Sequence, residues 1–397
     1  MSSLDTLIQR ATVESTMTFI PKDQLTARSK ANLTDEESEA ERMLRICNAC
    51  RYCEGFCAVF PAMFRRLEFG AKDIHYLANL CHQCGACLHG CQYAPPMAFG
   101  INIPQAMQRV RAQTWTKFAW PRAFGVLYKR NGVTISVAVA ASLALLLAVV
   151  QGANGSLLGR AEGGFYGLMP HNLMVALFAP VFLWAVLALS IALYRFWKDD
   201  APGDSTTGAV VEAGSNVLTL KYLGGGHGDG CNNADDGFSL TKRRFHHATF
   251  YGFMLCFAAT SIATLYHYVL GIPAPYNFTT LPKILGVVGG ALLVVGTSGL
   301  LWMHHRRDKL QAASELKGMD RGFITLLLLT GATGLALAAM RGQPGLPLAL
   351  AVHLGCVMAL FLTMPYSKFA HGFYRGMALL KWNIEKRQPS KLTLAGD

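Results

Sequence analysis

Charge is what this sequence has least of. Of its 397 residues 15% are Asp, Glu, Lys or Arg, whereas 52% are hydrophobic; an ordinary soluble protein carries about 25% charged residues. That deficit excludes disorder and argues against a simple soluble enzyme. No glycine-rich fingerprint follows an apolar strand and opens a helix, so no dinucleotide-binding domain is expected. No Walker motif and no Ser–His–Asp arrangement stands out. The formal net charge is +12, yet no basic stripe interleaved with aromatics suggests a nucleic-acid face. The opening MSSLDTLIQR has no signal-peptide pattern. Eleven cysteines are too few for a secreted disulfide scaffold of this length.

The missing charge is missing locally. Residues 1–132 hold 16 Lys/Arg and 11 Asp/Glu, an ordinary density. After Gly132 six apolar runs follow, at 133–150, 172–194, 248–270, 284–303, 322–340 and 347–365, and none contains Asp, Glu, Lys or Arg. Each approaches the ~20 residues a helix needs to cross a bilayer. The loops 195–247 and 304–321 and the tail after 366 carry 6, 5 and 6 Lys/Arg, while the opposite side receives Arg160, Lys283 and Arg341. The positive-inside rule then puts both termini in the cytoplasm of a bacterial-type inner membrane. The chain divides into a cytoplasmic domain over 1–132 and a six-span membrane domain over 133–397, with a Gly-rich cytoplasmic loop at 198–244 and a basic tail. The glycine run GGGHGDG at 224–230 is expected to be a flexible loop.

Eight cysteines fall into two copies of one spacing: Cys47, Cys50, Cys53 and Cys57, then Cys81, Cys84, Cys87 and Cys91. C-x2-C-x2-C-x3-C is the run that holds [4Fe–4S] clusters. In two-cluster ferredoxins the fourth cysteine reaches the other cluster, which would group Cys47, Cys50, Cys53 with Cys91, and Cys81, Cys84, Cys87 with Cys57. The proline that directly follows the last cysteine in ferredoxins comes later here, as Pro61 and Pro95, so the ligand set is firmer than the crossing. Zinc competes, but a zinc ribbon uses two C-x2-C pairs across a longer loop. His75, His82 and His89 read as polar helix or loop residues, and Cys231, Cys256 and Cys356 as a loop thiol and two small apolar residues. Apolar spacing at 58–80 and the acidic start of 34–44 predict helices. The fold class is therefore mainly α: a helical ferredoxin-like module with two clusters, then a six-helix transmembrane bundle.

Histidines in or beside a span are costly and point to function. His267 and His353 lie at similar outer depth on different spans, as a bis-His b-type haem requires. At the inner side His371 can pair with His246 or His247. His353 and His371 are 18 residues apart, five full turns if the helix continues past Pro365. One haem or two is left open. His304 and His305 read as part of the basic collar. His171 is a ligand, a quinone contact or a helix-end residue. Arg243, Arg244 and Arg375 suit haem propionates or mark topology.

The doubled cysteine motif, RRFHHATFYGFMLCFAATSIATLYH at 243–267 and HLG…PYSKFAHGFYR at 353–375 make the chain resemble the membrane iron–sulfur proteins of tricarballylate and citrate utilisation, the TcuB or CitB family. The resemblance covers nearly the whole chain. It implies two [4Fe–4S] clusters, b haem and reoxidation of the FAD of a partner tricarballylate- or citrate-type dehydrogenase, with electrons passed to membrane quinone. The His-x17-His spacing of the last span also looks like the haem-binding helix of nitrate reductase gamma subunits. Two other classes compete: a tricarboxylate transporter with a redox-sensing domain, and the membrane subunit of a heterodisulfide-reductase-like complex.

Overall fold

The computed structural model describes residues 33–160, 164–200, 203–225, 228, 230–232 and 237–390. The N-terminal module contains α1 (Asp35–Cys50), α2 (Val59–Met63), α3 (Ala71–Leu80), α4 (Ala86–His89) and α5 (Ile103–Phe118). α1 starts at a reciprocal capping box between Thr34 and Glu37, with Asp35, Glu36 and Glu37 in its first turn, where the helix dipole favours negative charge. It stops where Arg51 turns left-handed at φ 57°, which throws the chain into the Cys50–Cys53 loop. The apolar pattern between the two motifs resolves into α2 and α3. All of Ile74–Leu80 is buried, because α3 packs between α1, α5 and a helix from the far end of the chain.

A short α6 (Val126–Lys129) leads into α7 (Asn131–Asn154), α8 (Gly164–Leu168), α9 (His171–Asp199), α10 (Thr207–Leu218), α11 (Thr241–Tyr268), α12 (Leu281–Arg306), α13 (Lys317–Ala339), α14 (Leu346–Thr363) and α15 (His371–Glu385). Of these, α7, α9, α11, α12, α13 and α14, with short flanking turns on the last two, are long and apolar enough to cross a membrane. The molecule is mainly α, a cysteine-rich module on a six-span bundle. Spans α11 and α12 form the most extensive pairing in the bundle. Small residues make it possible: a Cβ at Gly252 would lie 2.5 Å from Leu293 N, and one at Gly289 would lie 2.9 Å from Cys256 N. The glycines of α12 thus serve close packing, and the helix runs unbroken through them.

Four features differ from the sequence reading. The helices outrun their apolar cores: α11 begins at Thr241 and so carries Lys242, Arg243, Arg244, His246 and His247 in its first two turns. The last span does not continue to His371. It ends at Thr363, passes through two 3-10 turns (Met364–Tyr366 and Lys368–Ala370) and restarts as α15, so the five-turn alignment of His353 with His371 does not apply. Pro365 supplies the physical reason, lacking the N–H a continuing helix needs. The basic tail is largely this α15, whose Ala378, Leu379 and Trp382 enter the apolar core of the N-terminal module. Its Glu385 meets Arg66 at 2.6 Å.

The 198–244 loop is also built. It contains α10, a 3-10 turn at Lys221–Gly224 and a two-residue antiparallel hairpin pairing Cys231 with Ser239 and Asn232 with Phe238. Gly225 and Gly230 have φ 71° and 116°, and a Cβ on Gly225 would overlap the Gly230 carbonyl. Only glycine fits that contact at that φ. Residues 226, 227 and 229 of the glycine run lie outside the described residues.

Candidate cofactor sites

The C-terminal end of α1, the loop that follows it and the segment after α4 bring four thiols to one hollow. Cys47, Cys50, Cys53 and Cys91 line this hollow together with Arg51, Tyr52, Phe60, Tyr93 and Ile101. Three come from the first motif and the fourth is the last cysteine of the second. The other four also group together: the electrostatic neighbours of Cys57 are Cys84 and Cys81, and those of Cys87 are, in falling order, Cys84, Cys81, Cys57 and then Cys53 of the first group. Burial, reinforced by adjacent thiols, pushes Cys47 and Cys53 up to about 12 and Cys57 and Cys87 well above the ordinary thiol value. Without a cation among them these groups hold their protons; metal binding has to displace them. Among the described residues no three His, Cys, Asp or Glu side chains close on a single-ion site. Thiols standing back around a hollow suit a four-iron cube, which is larger than one zinc ion.

The two groups differ in surroundings. The loop of the first is open: Arg51, Tyr52, Glu54 and Gly55 are exposed, Tyr52 by 67%. The loop of the second is enclosed, with Cys81 6% and Cys84 8% exposed. Its cover is the bundle. Lys242 Nζ donates to Gln83 O at 2.6 Å, Arg375 Nη2 to Cys81 O at 2.9 Å, and Arg111 Nη1 to the same carbonyl at 2.5 Å. Gln83 Nε2 donates to Gln311 O at 3.0 Å, and Gly85 sits so close to Gln311 that a Cβ would overlap its amide. His82 is buried and bonds through Nδ1 to Leu80 O at 2.9 Å. Burial and the Arg375 charge hold it well below the usual imidazole value, so it is neutral.

One helical turn from Lys242 and from Arg375 stand His246 and His371. Their ring centres are 6.1 Å apart with planes at 78°. Two metal–imidazole bonds of about 2 Å each, plus the ring radii, also give about 6 Å. His371 donates through Nδ1 to Lys368 O, which leaves Nε2 bare as a ligating imidazole requires. His246 Nδ1 is buried with no hydrogen-bond partner among the described residues. These residues fit a bis-His centre. His247 turns instead towards Tyr251, ring centres 5.7 Å apart.

The outer histidines are arranged differently. His267 stacks on His171 at 3.8 Å and 22°, too close for a shared metal, and His171 Nε2 meets Tyr268 Oη at 2.9 Å. His353 hydrogen-bonds Thr333 Oγ1 at 3.2 Å and lies against Gly334 on α13. Among the described residues no ring contact joins His353 to His267. The His304 side chain lies 3.6 Å from Asp320, which also holds Lys368 at 2.6 Å, and 3.5 Å from Arg307.

Sequence reasoning missed Lys242, Arg111, His82 and Cys231 as parts of the site. The i,i+4 spacings Lys242/His246 and His371/Arg375 were a usable signal. Nothing near Arg111 in sequence announces its target thirty residues away.

Two sequence profiles match the chain, a citrate utilization protein B Fer4-like domain over residues 40–117 and citrate utilization protein B over 129–391. The first covers the cysteine-rich module and the second the bundle with α15. Citrate utilization protein B of Escherichia coli is 56% identical over 366 residues, 92% of this chain and 97% of the relative's. No solved structure matches. With both halves of the chain matched by one family and the relative aligned nearly end to end, the chain belongs to the citrate utilization protein B family.

Proposed function

We propose that the protein is a membrane electron-transfer subunit in citrate or tricarballylate utilisation. It takes electrons from the reduced FAD of a partner dehydrogenase at the cysteine-rich module and delivers them to quinone. When bound, two [4Fe–4S] clusters and a b haem would supply the one-electron carriers. The chain's residues hold and insulate them. Cys47, Cys50, Cys53 and Cys91 would hold one cluster, and Cys57, Cys81, Cys84 and Cys87 the other. His246 and His371 would hold the haem, with Arg375, Lys242 and Lys368 as the cations beside it. His267 and His353 are not assigned a second haem in this reading. In this reading the module and both termini face the cytoplasm, which the excess of Lys and Arg in the loops on that side supports.

The observation that carries the proposal is the shared footing of the two sites. Lys242 and Arg375 grip the Cys81–Gln83 loop, and His246 and His371 follow one turn away on the same two helices. The second thiol site and the histidine pair are thereby fixed to each other by α11 and α15. The open first site is left as the inlet. The test uses membranes holding the full chain together with its flavoprotein partner and that partner's acid. Haem reduction should follow addition of the acid and be lost in Cys84→Ser. Full haem reduction in Cys84→Ser would overturn the reading.

A further inference from the structure

The hairpin of the 198–244 loop delivers a ninth cysteine to the second thiol site. Cys231 is 2% exposed and packs in one apolar cluster with Cys84, Ala86, Leu220 and Leu223. Its Sγ–H donates to Leu223 O at 3.4 Å, so it is a protonated donor and no part of either four-thiol group. Its position is enforced. Gly230, immediately before it, has φ 116°, and a Cβ there would overlap the Ser239 backbone. Asn232, immediately after it, is pinned through its carbonyl by Gln311 Nε2 at 3.1 Å.

Lys242 approaches the same point from α11. Its ammonium bonds Gln83 O, the carbonyl next to Cys84. Burial raises the thiols of Cys84 and Cys231, and the Lys242 charge works against that rise at both. One cation thus stands beside Cys84, while the Cys231 S–H is taken by Leu223 O. The arginine that lines the first site, Arg51, is instead exposed, bonds Asn48 O at 3.1 Å and stacks over Phe64. A cluster's potential rises with donors to its sulfurs and with nearby positive charge, and burial keeps water from screening either.

We propose that Lys242 is the tuning group of the second cluster, holding its potential above that of the first, so that electrons entering at the exposed site run towards the bundle. This rests on the assignment of two [4Fe–4S] clusters. Lys242 does not ligate iron and acts by charge, from its seat on the Gln83 carbonyl beside Cys84.

The experiment is an anaerobic redox titration of the purified full-length protein followed by electron paramagnetic resonance, with iron and sulfide analysis of each sample. The wild type should show two clusters with distinct midpoints. In Lys242→Gln the higher midpoint should move to lower potential, with the other midpoint and the iron content unchanged. Lys242→Arg, which keeps the charge, should restore most of the shift. If both midpoints stay fixed in the Gln variant, the proposal is wrong. It is equally wrong if that variant loses iron from both sites, which would make Lys242 structural only. A wild-type protein without cluster signals would instead overturn the iron–sulfur assignment itself, a separate result.

Discussion

At the scale of single residues the eight motif cysteines could be picked out from their doubled spacing, the spacing that [4Fe–4S] clusters use. How they divide could not be, since the division depends on how α1 and the segment after α4 are packed. The structure groups Cys91 with Cys47, Cys50 and Cys53. Cys91→Ala should therefore abolish the first cluster's signal and spare the second, with iron content cut by about half, as four thiolates serve each cluster. Iron analysis with paramagnetic resonance checks this. Loss of the second signal alone would reverse the pairing.

Of the histidine pairs the sequence suggested, His246 with His371 comes together in the structure, whereas His267 stacks on His171 and makes no ring contact with His353 among the described residues; a helical wheel cannot see the break after Thr363. His371→Ala should remove the low-spin b-type absorption of the reduced protein, and His247→Ala should leave it intact. His247 faces Tyr251 and not His371. Equal loss in both variants would show that the 6.1 Å pair has no special standing.

Among the elements, the six spans could be read from apolar length alone, but their ends could not. A helix continues past its lipid-facing core wherever polar residues find partners, as Lys242 does at Gln83. Element α15 was least legible: six basic residues after position 366 describe a solvated tail until Trp382 is seen in the module's core. Trp382 is 7% exposed, and Trp382→Ala should cost about 3–5 kcal/mol of module stability. Thermal melts of the detergent-solubilised protein read that loss directly. An unchanged melt would mean that α15 does not hold the module.

Element α3 carries a pH dependence. His75 is 1% exposed, with Nδ1 2.8 Å from Thr114 Oγ1 and Nε2 2.9 Å from Glu37. Burial and the Lys117 charge pull it from 6.5 down to about 4, with Glu37 opposing. Between those values the unfolded chain binds a proton that the folded chain refuses. The neutral histidine's contribution is therefore intact above pH 6.5 and is lost as the pH falls towards 4. His75→Gln should flatten the fall of the melting temperature between about pH 7 and pH 5. A slope equal to that of the wild type would place the acid sensitivity elsewhere.

For the whole molecule, the scarcity of charge and the cysteine spacing together foretold a helical thiol-rich module on a membrane bundle. What they could not foretell is the junction. It is made by residues from four separate stretches, Arg111, Lys242, Gln311 and Arg375, each within hydrogen-bond reach of the loop that starts at Cys81 or packed against it. Three of the four, Arg111, Lys242 and Arg375, bring positive charge to that loop. The central claim is that the junction joins two cluster sites to one bis-His haem. Metal and haem analysis of the purified full-length protein, with its reduced-minus-oxidised spectrum, tests it most directly. The account predicts the iron and sulfide of two [4Fe–4S] clusters, one b haem per chain, and a low-spin spectrum that disappears in His371→Ala; zinc in place of iron, or a spectrum without haem, would contradict it.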